Sequence, residues 1–565
     1  MYALKIIRKY ILNLKIYFFF LFIFSSISSL FNALSAVSLI PIVSLLLGEN
    51  VNLKIGKFLE KHEIINITEY GHLELIIFFL VFFVIGGFFK IISDYLIIKI
   101  RVIILSLYFK DLLNRFFLSN WHFFYLNDIG KISNSVYKEL DKVGGSIIAI
   151  LHLFSNVFLI SIILLIPIFV SFNVTIVSIL VILGLFLPVK LINFYFYKLG
   201  KRFTDESNIF SKLFFYAVSM YKNISANSAN KITIDDIHNS YKKINKFEII
   251  NKLLNSSISE VLNTLSIFFV FTIFAISSYY NLSIPEISAV LYSFLRIFPH
   301  VNNSISMINV IQSSRAGFEL IEKLKRKSTE INEEWGSLKF ENLEKISIDN
   351  LNYSYPNGKN ALKDIEIDIE NGEMVAIVGQ SGSGKSTILD LIAGLNFTKS
   401  GKILLDNKNL YDYDRKSYQS LVGYVDSNID LFPYSIKKNI SMFCNNVNDE
   451  DLKKIYSFVN LDKVINNLPE KDNTILGDKG STLSSGQKQR ICIARALIKK
   501  PKIIIFDEAT NYLDDKNEEI ILQNLSTLKH GSLILFATHK KSILKYFDKV
   551  IFFKDGKIEN IENST

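Results

Sequence analysis

Cysteine is nearly absent. The 565-residue chain has two, Cys444 and Cys492, both in its polar C-terminal half and without CxxC spacing. Neither a disulfide framework nor a thiolate metal centre is indicated, and a reducing compartment fits that half. Internal repeats and significant low-complexity tracts are also missing. No secretory signal is evident: the first apolar run, Ile16 to about Leu47, far exceeds a signal's apolar core and has no clear small-residue cleavage site. It reads as a retained anchor.

Apolar residues, by contrast, are plentiful. The chain is 50% hydrophobic with a mean hydropathy of +0.29, high for a protein living wholly in water. Its 47 Phe and 26 Tyr agree, although its richness in Ile, Asn and Lys also fits codon bias. The length calls for two or more domains. A net charge of +10 with a pI near 9.0 suits the cytoplasmic loops of a membrane protein better than a nucleic-acid binder.

Crossing ~30 Å of hydrocarbon takes about 20 apolar residues. Six stretches qualify: 16–47, 74–98, 143–172, 174–197, 259–281 and 285–311, the last being the most polar. Lys5, Arg8, Lys9 and Lys15 precede the first. Arg101, Lys110, Arg115, Lys131, Lys198, Lys201 and Arg202 crowd the second and fourth connections, which places these and the C-terminal half in the cytoplasm. Helical apolar spacing continues through both connections (Ile103, Leu107, Leu112; Phe203, Phe210, Phe214), so long helices should project beyond the membrane, with WHFFYLNDIGKI and AVSMYKNISANSA at their tips. The fold class expected is a membrane α-helical bundle (1–325), a charged linker (326–340) and an α/β P-loop domain (341–565), whose Val/Ile runs begin near Leu338.

GQSGSGKST, comprising Gly379, Gln380, Ser381, Gly382, Ser383, Gly384, Lys385, Ser386 and Thr387, follows the apolar run MVAIV and precedes ILDLIAGL. Strand, glycine loop and helix come in the order a phosphate cradle needs: backbone N–H groups curl around phosphate, Lys385 places a charge on it, and Ser386 can ligate Mg²⁺. In IIIFDEAT, Asp507 and Glu508 end a buried-looking strand, one suited to the metal's shell and the other to polarising water. STLSSGQKQRICIARAL, between them, opens a helix with small residues at 481–486, a second anion site in a domain that needs one.

The order GQSGSGKST, LSSGQKQR, IIIFDEAT and FATHK resembles the nucleotide-binding domain of ATP-binding cassette transporters, and with the spans before it the whole chain is similar to a type IV exporter half-transporter. The resemblance implies a dimer sandwiching two ATP molecules with Mg²⁺, the signature helix of one subunit completing the site of the other. By position it makes Tyr355 the aromatic under adenine, with Tyr353 the rival if the register slips; Ser484, Gly486 and Gln487 signature residues; Asp514 a dimer-contact residue; and His539 the γ-phosphate switch, although it could equally be a strand-end histidine.

Three positions depart from that pattern: Ser485 where glycine is commonest, NYLDD where SALD is usual, and Ser427, preceded by Asp426, where a metal-touching glutamine is expected. A negative φ would make Ser485 mild. Ser427 can ligate metal but is about two bonds shorter than glutamine, so it needs loop movement or a bridging water.

Within the spans, Arg296 lies about 16 Å of helical rise into the last, followed by Pro299 and His300. It fits either a substrate headgroup contact or an interhelical bond. Lys90 and Asp94 have the spacing of an internal pair. The expected function is ATP-driven export or flipping of an amphipathic substrate, a lipid or lipid-linked oligosaccharide, across a bacterial inner membrane by a second, identical half-transporter and this one, with no nucleic-acid partner. The last span and connection 48–73, with an amphipathic helix around Leu53 to Leu59, are similar to the lipid-linked oligosaccharide flippases. Alternatives are a peptide, bacteriocin or drug exporter, a peptide leaving unprocessed because about fifteen residues without cysteine precede the first span, and an ATP-binding membrane regulator that does not pump.

Overall fold

A computed structural model describes residues 2–46, 72–119, 121–280, 282–330, 335–355, 358–398, 400–444, 447–477 and 483–563, with side chains at 2, 40, 41, 45, 72, 122, 125, 181–193 and 330 excepted. The amphipathic helix expected around Leu53 to Leu59 lies outside these. The chain divides into two compact units, 1–119 with 123–331 and 120–122 with 332–565.

The first unit is helical. A short helix α1 (Tyr2–Tyr10) precedes six long ones: α2 (Lys15–Leu46), α3 (His72–Phe117), α4 (Leu140–Val170), α5 (Phe172–Ser219), α6 (Asn230–Tyr279) and α7 (Ile284–Glu330). Among the described residues, four helical segments, Ala3–Ser44, Leu73–Phe117, Ile129–Val170 and Asn230–Tyr279, are long and apolar enough to cross a membrane. At ~1.5 Å per residue, the 46 residues of α3 and 50 of α6 far exceed a ~30 Å hydrocarbon layer. They therefore extend beyond it, and the helices break near the expected tips, at 118–119 and 227–229.

Small polar residues bring the helices close. Ser25 and Ser93 share a 2.9 Å hydroxyl contact, and Ser28 Oγ donates to Gly86 O at 2.9 Å, joining α2 to α3. Asn156 Nδ2 donates to Ser304 Oγ at 3.2 Å between α4 and α7, and Asn309 to Asn255 Oδ1 at 2.9 Å between α7 and α6. Without water, such contacts replace the hydrophobic drive between helices. Large apolar side chains on the other faces, such as Ile77, Leu80, Val84, Phe88 and Ile91 on α3, are exposed, as lipid contact requires. Lys90 and Asp94 pair at 3.1 Å.

The expected linker is corrected at both ends. α7 runs to Glu330 because KLKRKSTE is made of helix formers and helix-compatible polar residues, with Lys325 and Glu322 facing at i, i+3. Farther on, Trp335 packs on Tyr411 and Tyr418 (ring centroids 5.4 and 6.1 Å) and Leu338 bridges to Tyr413, so this part is packed into the second unit.

That unit contains two sheets. The first is antiparallel: β1 (Lys345–Ser354), β2 (Asn360–Glu370), β4 (Ser400–Leu405) and β5 (Lys408–Asn409) stand in the order β2-β1-β4-β5. The second contains β3 (Met374–Gly379), β6 (Val422–Val425), β7 (Ile503–Asp507), β8 (Leu533–Thr538), β9 (Lys549–Lys554) and β10 (Lys557–Asn563), ordered β10-β9-β3-β8-β7-β6 and parallel except at β10. Alternate strand residues enter two cores: Met374, Ile504 and Phe536 one, Val375, Ile505 and Leu535 the other. A parallel sheet covered on both faces reads as continuous apolar runs, as MVAIV and IIIF do.

Candidate functional site

Four adjacent parallel strands, β3, β8, β7 and β6, release their chains at the same edge, the carboxyl edge where open α/β sheets bind ligands. After β3 the loop turns at Gly382 (φ +83°) and Gly384 (φ +111°), conformations that favour glycine, and enters helix α8 (Lys385–Ile392). A Cβ on Gly384 would stand 2.9 Å from Ala361 O. Loop and helix start therefore present N–H groups to an anion.

Lys385 is 5% exposed. Its Nζ donates to Gly379 O at 2.9 Å and Gln380 O at 3.1 Å, and lies 3.6 Å from Glu508 Oε1. Ser386 Oγ donates to Asp507 Oδ1 at 2.9 Å, tying helix start to strand end. Burial pushes the Asp507 carboxyl upward; the Ser386 hydrogen bond opposes this and Asp426 and Glu508 add to it. Glu508 has φ +50°, a strained conformation for a non-glycine residue. From the end of β8, exposed His539 places Nδ1 3.9 Å from Glu508 Oε1.

Lys385, Ser386, Asp507 and Glu508 line a cavity of about 300 Å³, together with Tyr355, Ser381, Thr387 and Ser427. Tyr355 OH meets Thr387 Oγ1 at 2.9 Å, whereas Tyr353 is buried, so the register puts Tyr355 at the cavity. Among the described residues no hydrogen-bond partner meets the buried Ser383 Oγ, in keeping with a loop shaped for phosphate. Ser386 and Asp507 form a hard-oxygen pair that fits Mg²⁺. Ser427 faces the cavity, but its hydroxyl donates to Asp426 Oδ1 at 3.1 Å.

Ser484, Gly486 and Gln487 are not among the residues lining this cavity. Ser484 caps helix α9 (Ser485–Leu497): its Oγ accepts the Gln487 N–H at 3.3 Å while Gln487 Oε1 accepts the Ser484 N–H at 3.0 Å. Ser485 is not among the non-glycine residues with positive φ, so glycine is not required there. Asp514 caps helix α10 (Asp515–Leu528), accepting the Asn517 N–H at 2.8 Å, which holds its carboxyl below the usual range. In the first unit, Arg296 Nε donates to Tyr292 OH at 3.1 Å and its guanidinium lies 4.6 Å from the Phe83 ring centroid, while the buried Nη2 has no hydrogen-bond partner among the described residues.

Two contacts carry no motif signal. Asn511 Nδ2 donates to Glu508 Oε2 at 3.3 Å. Tyr424 OH donates to Asp390 Oδ1 at 2.9 Å, and burial, with Asp507 and Asp426 nearby, pushes the Asp390 carboxyl up to about 7 despite that bond. Only the alternation of Tyr424 with buried Val425 hinted that its ring faces α8.

Residues 362–511 match the family model described as ABC transporter. The chain is 34% identical over 246 residues to ABC transporter B family member 21 of Arabidopsis thaliana, covering 43% of this chain and 19% of that protein. It is 38% identical over 215 residues to a Staphylococcus aureus protein provisionally named as a multidrug export ATP-binding/permease protein, covering 38% of this chain and 37% of that one. The chain thus spans less than half the length of these relatives. A solved bacterial Atm1-family ABC exporter with ATP bound has the same fold, with a TM-score of 0.82 over 99% of this chain and 95% of that one at 17% identity.

Proposed function

We propose that this chain is an ABC transporter, because residues 362–511 match that family's model and nearly its whole length has the fold of a solved ABC exporter, and that it couples ATP hydrolysis to outward movement of an amphipathic substrate as one half of a dimer. The observation that carries this reading is the convergence of Lys385, Ser386, Asp507, Glu508 and His539 at one sheet edge, in a chain with multiple membrane-spanning helices.

In this mechanism Tyr355 stacks under adenine and the glycine loop holds the phosphates. Glu508 takes the proton of the attacking water. Lys385 and His539 meet charge on the transferring phosphoryl group. Ser386 and Asp507 would hold Mg²⁺, with Ser427 a further candidate ligand, and the ion would supply additional positive charge when bound. Ser484, Gly486 and Gln487 serve the nucleotide of the second half, which we take to be an identical chain, because they lie away from their own phosphate loop.

Arg296 carries the substrate assignment. Among the described residues no carboxylate pairs with it, and a cation held only by aromatic rings and a phenol fits an anionic headgroup. The substrate class is a lipid, including a lipid-linked oligosaccharide, taken from the inner side of a bacterial inner membrane with the ATPase domain in the cytoplasm. A cationic drug would meet repulsion there, which separates this reading from multidrug export. The test uses vesicles containing the protein and a fluorescent anionic lipid: ATP should move label across the bilayer in wild type and not in Glu508→Gln. Equal movement in both would refute it.

A further inference from the structure

The loop from β7 to α10 divides the two oxygens of Glu508 between different partners. Oε1 faces Lys385 Nζ at 3.6 Å and His539 Nδ1 at 3.9 Å, on the cavity side. Oε2 accepts from Asn511 Nδ2 at 3.3 Å, on the loop side. A carboxylate turns readily about its last torsion, so a donor on one oxygen decides where the other points.

The loop is itself anchored. Tyr512 N–H donates to Gln489 Oε1 at 3.1 Å, and Gln489 is wholly buried on α9. A Cβ on Gly486, one turn earlier on α9, would stand 3.0 Å from Tyr512 O, so backbone and helix lie close. Glu508 N–H donates to Ala537 O at 3.1 Å, which holds the strained base from its other side. A continuous set of contacts thus runs from α9 through Gln489, Tyr512 and Asn511 to Glu508.

We propose that Asn511 is the positioning residue of the catalytic base, orienting Glu508 so that Oε1 receives the proton of the attacking water. It touches neither substrate nor reacting atoms; it acts through Glu508. The inference rests on the ATP hydrolysis proposed above. A serine here, as in the usual SALD pattern, is too short to supply the same amide, so the departure noted in the sequence becomes a working part of this chain.

The test is ATP turnover by the full chain in lipid nanodiscs, with kcat and KM measured for wild type, Asn511→Ala and Asn511→Asp. Loss of one modest hydrogen bond should lower kcat of Asn511→Ala by roughly three- to tenfold with KM within about twofold. Asn511→Asp keeps the shape but replaces the donor facing Glu508 by an acceptor, so its kcat should fall at least as far, again with KM within about twofold. A loop of purely structural importance would let this near-isosteric variant turn over as wild type does. Wild-type kcat in Asn511→Ala or in Asn511→Asp overturns this inference alone; absence of turnover in wild type overturns it together with the hydrolysis reading.

Discussion

Ser427 Oγ donates to Asp426 Oδ1 at 3.1 Å, and the same carboxylate oxygen accepts the Asn428 N–H at 3.2 Å. The loop after β6 is therefore tied to itself at the position where a longer side chain would reach metal. Removing a hydroxyl already spent on Asp426 should cost little: Ser427→Ala should hydrolyse ATP within about threefold of wild type. Ser427→Gln gains the missing reach and should lower the Mg²⁺ concentration for half-maximal turnover. Magnesium titrations of both variants check this.

Asp390 and Tyr424 predict a pH dependence of stability. Burial raises the folded-state value of Asp390 to about 7, above its ordinary 3.8. Between those values the folded chain keeps a proton that the unfolded chain has released, so stability falls as pH rises from about 4 to about 7. Asp390→Asn, neutral throughout, should flatten that fall and melt several degrees higher at pH 8. Trp335, packed on Tyr418, supplies the fluorescence signal for the melts.

Glu139 is wholly buried, ion-paired with Lys142 at 2.8 Å and accepting from Thr204 Oγ1 at 3.2 Å. A Cβ on Gly317 would fall 2.1 Å from its Oε2. Gly317→Ala should destabilise the helical unit by about 1–3 kcal/mol through overpacking. In a Glu139→Ala background the same change should cost much less, and a double-mutant cycle in detergent melts measures the coupling.

Arg296 over Phe83 should decide stimulation by anionic lipids while leaving basal hydrolysis near wild type. Arg296→Ala should lose that stimulation. Arg296→Lys should recover part of it, because an ammonium keeps the charge without the planar fork. ATPase rates with and without an anionic lipid provide the comparison.

The phosphate loop was legible in the sequence because a tight turn, a close backbone approach and a strand–loop–helix order leave few alternatives. The long helices were legible because apolar runs of that length have few uses outside a bilayer. Trp335 was hidden by its charged neighbours: one aromatic in KRKSTEINEEWGS gives no periodicity, yet it finds Tyr411 and Tyr418 more than 70 residues away. Asp390 looked like an ordinary helix residue, since only sheet order brings β6 across from α8 and sets Tyr424 over it. Asn511 was seen as a departure in a contact loop, but its reach to Glu508 depends on the left-handed backbone at the base. Asp514 caps α10, a role beside the dimer contact that the resemblance implies for it.

Steady ATP hydrolysis by the purified chain in lipid nanodiscs, wild type against Glu508→Gln, tests the central claim most directly. Continuous turnover in wild type that falls by at least about a hundredfold in Glu508→Gln, with ATP still bound, is the predicted result. Turnover that survives in Glu508→Gln, or a wild type that binds ATP without hydrolysing it, would contradict the account.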